Sequence, residues 1–296
     1  MLDYKQLHAL AEVVRQGSFD KAARKLNLTQ SAVSQRVSTL EQRVGRPLLV
    51  RANPVRATEA GLLLLRHQQQ VALMEANLSE ALLTGERSEF ERVALAVNAD
   101  SLATWLPQAL SRLFNQHQLL TELIVEDEDI TLNRLKSGEV AGCISAIAKP
   151  VQGCRTQPLG TLRYRMAASP AFIERYFADG VDAASLAHAP TVVYSQHDDL
   201  MSRFLARHYP TLGHLPPHHQ VPSAQAFVNL ALQGITWALI PELQLAPLQA
   251  TGALQSPSPH HLDVPLYWHS WRLESPTMTR IAAVLKQQAR SQLLNA

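Results

Sequence analysis

Cysteine is nearly absent: Cys143 and Cys154 are the only two in 296 residues. Two thiols with no metal-ligand spacing give neither a disulfide framework nor a metal motif. They read as reduced structural thiols, with a redox-sensitive thiol as the lesser alternative. No apolar run reaches the roughly 20 residues of a membrane-spanning helix. The opening MLDYKQLHAL lacks a charged segment followed by an apolar signal core. These absences predict a soluble, cytoplasmic protein with no membrane partner. There is no G-x-S-x-G, no Walker-type loop and no H-x-x-x-H on a helix. The pairs His218-His219 and His260-His261 fall in Pro-rich stretches that read as loops. No catalytic residue, metal site or resident cofactor is therefore expected, and the chain does not read as an enzyme.

What is present is uneven. A hydrophobic content of 46% supports real cores, and the length allows two or three domains. Net charge is only +2, but residues 1 to 60 carry ten Lys and Arg against five Asp and Glu, and the remainder carries 17 against 20. A basic head on a mildly acidic body suits a protein that holds a polyanion at one end.

The basic head contains SFDKAARKLNLTQSAVSQRVSTLEQRVGRPLLVRANPVR, residues 18 to 56. A first helix is expected from Asp3 to about Arg15, with Leu7, Leu10, Ala11 and Val14 inside. Ser18 is placed to cap a second helix, whose Phe19, Ala22, Ala23 and Leu26 face inward. Small alanines let helices cross closely, as a helix-turn-helix requires. Thr29 is placed to cap a third helix, with Val33, Val37, Leu40 and Val44 on one stripe. Its other side carries Gln30, Ser31, Ser34, Gln35, Arg36, Ser38 and Gln42. Short hydroxyl and amide side chains can donate and accept at base edges in a major groove. After Gly45 the segment with Arg51 and Arg56 reads as a two-stranded basic wing that lies along phosphates. An amphipathic surface helix is the bland alternative for the third helix alone.

TQSAVSQRVSTLEQRVGRPLLVR followed by ATEAG at 57 to 61 resembles the N-terminal winged helix-turn-helix of the LysR-type transcriptional regulators. Val50 stands where most members have Phe. The Gly- and Pro-free stretch after Gly61 carries more apolar residues than one exposed helix can hide. The resemblance implies that it pairs with its copy in a homodimer; packing on its own body is the alternative. The expected units are a head at 1–58, a linker and dimerisation helix at 59–90, and an effector-binding body at 91–296.

From residue 93 short apolar strands alternate with helices, the pattern of a parallel α/β sheet covered on both faces. VALAVN, TELIVE and GCISAIA make the first series, LRYRMAASP, PTVVYS and ITWALIP the second, and PLYWHSW with a closing helix completes the chain. The resemblance implies two lobes of periplasmic-binding-protein type, the first about 91–162 and 265–296, the second about 163–264. The fold class is thus α/β, with an all-α winged head, a long linker helix and two α/β lobes.

A ligand in such lobes sits where strands end and helices begin. The first such turn offers Asn98 and Ser101 for a carboxylate. Asp100 beside them either caps the helix or receives an ammonium group. The second strand ends in Glu126-Asp127-Glu128-Asp129; strand alternation turns one of Glu126 and Asp127 toward the cleft, unless the run is simply a solvated loop. Asp198 and Asp199 offer the matching acid from the second lobe, and Ser145 and Ser223 are further hydroxyls at strand-to-loop positions. VNADSLATWLPQAL, VEDE, GEVAGCIS, AFVNLALQG and LYWHSW resemble the arginine- and lysine-responsive branch of the family. That branch implies lysine or arginine as effector, and genes of amino-acid export or metabolism as targets; the acids would also suit a polyamine. The expected partners are double-stranded promoter DNA, the basic amino acid, a second copy (with tetramers open) and RNA polymerase. An architectural or replication-origin DNA-binding protein is the alternative, and a small-molecule binder on the same lobes is the third reading.

Overall fold

The computed structural model describes residues 2–50, 52–82, 90–125, 128–272 and 275–295. Three helices open the chain: α1 (Tyr4–Gln16), α2 (Phe19–Lys25) and α3 (Gln30–Val44). The Asp3 carboxylate accepts from the Lys5 and Gln6 N–H groups and starts α1, and Gly17 ends it in the left-handed region at φ 63°. Thr29 caps α3 through the Ala32 N–H, and Gly45 ends it at φ 73°. Ser18 occupies the N-cap position of α2 but makes no side-chain capping bond. The first turn is complemented instead by Asp20, which pairs with Arg24 at 2.7 Å. Leu7, Leu10, Ala22, Ala23, Val33, Val37 and Leu40 form one buried cluster. Removing each larger side chain from water contributes about 1.5–3 kcal/mol.

The wing is a two-residue antiparallel ladder of β1 (Leu49–Val50) with β2 (Arg56–Ala57). Glu41 ties it to α3: one carboxylate oxygen accepts from the backbone N–H groups of Leu48 (2.8 Å) and Leu49 (3.3 Å). Val50 is 50% exposed, and the space beneath the wing is filled by buried Leu48 and Leu49. The residue that departs from the family pattern therefore makes no core contact. The helix α4 (Glu59–Leu82) follows, 24 residues and about 36 Å long.

The body begins with β3 (Glu91–Val97), α5 (Ala99–Ala103), α6 (Leu106–His117), β4 (Leu119–Val125), α7 (Glu128–Ser137) and β5 (Gly142–Ser145). The sequence pattern suggests one helix over the α5–α6 stretch, but the chain breaks at Thr104 (φ −119°, ψ −92°). Pro107 has no N–H for an intrahelical bond and its ring crowds the Ala103 carbonyl, so it serves as the start of a new helix. Next come β6 (Cys154–Ala167), α8 (Pro170–Tyr176), α9 (Ala183–His188), β7 (Thr191–Val193), α10 (Leu200–His208), β8 (His218–Gln220) and α11 (Ala224–Leu232). The chain closes with β9 (Ala238–Pro241), α12 (Glu242–Ala250), β10 (His261–Trp271) and α13 (Pro276–Gln292). Helices α8, α9 and α12 escape the sequence reading: the first two are too short to show a period, and α12 contains Pro247.

One six-stranded sheet, ordered β4-β3-β5-β10-β6-β9, runs through the body, with β7 and β8 in a separate parallel pair. β3 is parallel to β4 and β5, whereas β10 is antiparallel to both β5 and β6. The long strands β6 and β10 cross between the lobes, joined at the register pair Arg163–Asp263 by two hydrogen bonds of 2.7 and 2.8 Å. α13 returns to the first lobe, where the Gln288 amide donates to Gln108 of α6 at 2.6 Å. The chain thus has the α/β architecture expected, a winged helical head followed by two lobes linked by crossing strands. Both cysteines are buried; burial pushes the Cys154 thiol up to about 11 and raises that of Cys143 as well, which makes both inert at neutral pH. Among the described residues no helix is long and apolar enough to cross a membrane.

Candidate DNA interface and effector cleft

The capped start and buried stripe of α3 leave its other side to solvent. Gln30, Ser31 and Gln35 are exposed, and Ser34, Arg36 and Ser38 are half-buried beside them. The Ser31 hydroxyl lies 3.0 Å from that of Thr29, and the Gln35 amide reaches Thr39 at 3.5 Å, so both are pre-oriented by neighbours on their own helix. Arg56 is exposed on β2, on the flank of the same surface; Arg51 lies outside the described residues. A helix end with polar groups, next to a wing with an exposed arginine, is an arrangement able to supply base-edge contacts and a phosphate contact together. Gln35→Ala is expected to change the preferred base at one position by about 1–3 kcal/mol. Arg36→Ala is expected to weaken binding to all duplexes and to lower the salt dependence, as read by fluorescence anisotropy at several salt concentrations. Unchanged curves for both variants would refute α3 as the reading helix.

The second site lies at the carboxyl ends of β3 and β5. Ala96 pairs in register with Cys143, so two residues further on Asn98 and Ser145 end neighbouring strands at one level. Ser145 is fully buried and accepts from the Ile147 N–H at 3.1 Å. Asn98 is 5% exposed, and its side-chain oxygen has no hydrogen-bond partner among the described residues. Ser101 is fully buried, and its hydroxyl oxygen accepts from the Trp105 indole at 3.1 Å, which leaves its proton to donate. Asp100 does not cap α5. Its carboxylate accepts instead from the Tyr164 hydroxyl at 2.7 Å, reaching the crossing strand β6.

Burial pushes the Asp100 carboxyl up to about 6; the Tyr164 hydrogen bond opposes this, and the like charge of Asp198 adds to it. Asp198 belongs to the loop between β7 and α10 in the second lobe. Its two oxygens are oriented by the Tyr194 and Leu200 N–H groups, each at 3.0 Å. Its neighbour Asp199 is exposed and faces Arg203 at 3.6 Å. Ser223 caps α11 by accepting from the Ala226 N–H at 3.3 Å, and α11 lies against α5 across the cleft. Asn98, Asp100, Ser101 and Ser145 thus come together on the first lobe, with Asp198 and Ser223 on the second. Glu126 and Asp127 lie outside the described residues. Tyr164 was missed by motif reading. The signal was available in strand alternation, since Leu162, Tyr164 and Met166 are buried between the more accessible Arg163 and Arg165.

A winged helix-turn-helix joined by a long helix to two lobes with a polar cleft defines a ligand-responsive DNA-binding transcriptional regulator. Residues 4–62 match the family described as bacterial regulatory helix-turn-helix protein, lysR family, and residues 86–290 match the LysR substrate binding domain. The chain belongs to the LysR family of transcriptional regulators. It is 44% identical over 293 residues to the HTH-type transcriptional regulator ArgP of Aeromonas salmonicida, covering 99% of this chain and 98% of that one. Among solved structures, ArgP from Mycobacterium tuberculosis superposes with a TM-score of 0.84 at 39% identity, covering 100% of both chains. Full-length LysG from Corynebacterium glutamicum with bound effector Arg gives 0.76 at 34% identity, covering 99% of this chain and 100% of that one.

Proposed function

We propose that this regulator responds to a basic amino acid, lysine or arginine, held between the two lobes, and that it controls genes of amino-acid export or metabolism. The observation that carries this reading is Asp100: a desolvated carboxylate, fixed by Tyr164, under the field of Asp198, with no Lys or Arg partner among the described residues. An ammonium or guanidinium group beside Asp100 offsets both its desolvation and the like charge of Asp198. The name ArgP in the relatives, and the arginine bound by LysG, support the same ligand class. Closure on the ligand acts only through its differential affinity for the open and closed arrangements.

The functional unit is a homodimer on double-stranded promoter DNA. Leu63 and Met74, each 57% exposed, lie eleven positions apart on one face of α4, which suits burial against the same helix of a second copy. Two heads then meet two half-sites on one duplex. Calorimetric titration of the full chain with lysine, arginine and norleucine, repeated on Glu126→Gln and Asp127→Asn, tests the ligand. Binding of the cations and not of norleucine supports the reading; equal binding of norleucine, or none by either cation, overturns it.

A further inference from the structure

The linker helix is seated on its own first lobe at one well-defined point. The Arg66 guanidinium donates twice to the Lys136 carbonyl, from Nη2 at 2.7 Å and from Nε at 3.2 Å, at the C-terminal end of α7. The same guanidinium lies 5.1 Å from the ring centre of Trp271 on β10. Immediately after α7, Gly138 turns at φ 78°, and a Cβ there would stand 2.7 Å from Arg66 Cα and 2.9 Å from its backbone nitrogen. A positive φ and a backbone approach this close both call for glycine. A cation on the last carbonyls of a helix also meets the negative end of the helix dipole.

The positions at the two ends of this contact give it meaning. One residue before Arg66, Leu65 is 6% exposed within the core of the DNA-binding head. Successive residues of α4 therefore belong to the head and to the first lobe. At its other end α7 begins three positions beyond β4, whose last residue Val125 is in register with Val97, next to Asn98 of the cleft. Between the ends, Leu132 and Leu135 are buried against Ala96 of β3 and Cys143 of β5. A ten-residue helix, about 15 Å long, thus connects the cleft end of the sheet to the root of the reading head.

We propose that α7 is the lever between cleft and head, and that Arg66 is the positioning residue through which its movement sets the orientation of the reading helices. A shift of α7 along its axis moves the Lys136 carbonyl, and with it Arg66 and Leu65; a head re-oriented by DNA moves α7 in return. Coupling of this kind is reciprocal, and falls typically in the range of roughly 5–150-fold in affinity. The proposal goes beyond the ligand assignment above, and only its effector arm depends on that assignment.

The test uses the full chain as wild type, Arg66→Ala, Arg66→Lys and Gly138→Ala, with a duplex selected from random sequence by the wild type. Hydrogen exchange of the α7 amides is measured with and without the duplex. The expected result is a several-fold change in the last turn of α7 on DNA binding in the wild type, lost in Arg66→Ala and Gly138→Ala and partly kept in Arg66→Lys. Exchange in the central strands should stay the same, which separates lost coupling from unfolding. In the effector arm, lysine or arginine should change duplex affinity in the wild type; in Arg66→Ala the calorimetric affinity for effector should stay within about twofold while its effect on DNA disappears. A DNA-induced change at α7 that is equal in wild type and Arg66→Ala, or absent from the wild type, would overturn the lever. If neither amino acid binds the wild type, the ligand assignment fails and the exchange arm still decides the lever.

Discussion

Asp100→Asn is expected to weaken binding of lysine or arginine by about 2 kcal/mol or more, at least roughly 30-fold. The amide keeps the shape and can still accept from Tyr164, but removes the charge that the proposed ligand cation would meet. The same variant is expected to be more stable than the wild type without ligand at neutral pH. The Asp100 carboxyl titrates at about 6 in the fold, against 3.8 unperturbed, so the folded state binds its proton more tightly than the unfolded chain does. Stability from this group therefore rises as pH falls from 6 toward 3.8, and above 6 the buried charge costs up to about 3 kcal/mol. Asn carries no such cost. Ligand affinity runs the other way: protonation below about pH 6 removes the acceptor charge, so the wild type should bind the cation more weakly at pH 5 than at pH 7.5. Calorimetry and thermal denaturation at both pH values check this. A variant that binds as tightly as the wild type would remove Asp100 from the ligand site.

Gly61→Ala is expected to weaken specific DNA binding by roughly tenfold or more while leaving ligand titration of the body intact. In an ordinary exposed helix this change stabilises, by about 1 kcal/mol. Here a Cβ would stand 2.2 Å from the Leu48 carbonyl oxygen and 3.2 Å from Ala57 Cβ. That carbonyl accepts from the Thr58 N–H at 2.9 Å, so it cannot turn aside without releasing the start of α4 from the wing. Overpacking against backbone costs about 1–3 kcal/mol or more. With two heads on one duplex, that is a loss of roughly tenfold or more in affinity. Anisotropy with a selected duplex and calorimetry with ligand read the two halves separately. DNA affinity at the wild-type level would show that α4 and the wing are not locked together at this glycine.

The head was legible in the sequence because its determinants are local. Thr29, the stripe of Val33, Val37 and Leu40, and the terminating Gly45 act within one helix, and the structure keeps their roles. Ser18 shows the limit: its type suits a cap, yet a cap also needs the side chain turned onto the next N–H groups, and here it is not. In the body, alternation of strands and helices gave the class of fold. The break at Thr104 follows from Pro107, a local cause that the apolar spacing around it concealed.

The two lobes were implied by the family resemblance; by itself the sequence determined the capped and striped third helix, the basic balance of the head, and the alternation of strands and helices in the body. These rest on side-chain type, spacing and period, all of which are properties of neighbouring residues. Tertiary structure alone decided that Tyr164 holds Asp100 from 64 positions away and that Arg66 grips a carbonyl 70 positions on. It also decided which of the paired acids at 198 and 199 acts on the first lobe. Those contacts are set by strand order, by the crossing of β6 and β10 and by the packing of α4 on α7, none of which leaves a period in the sequence.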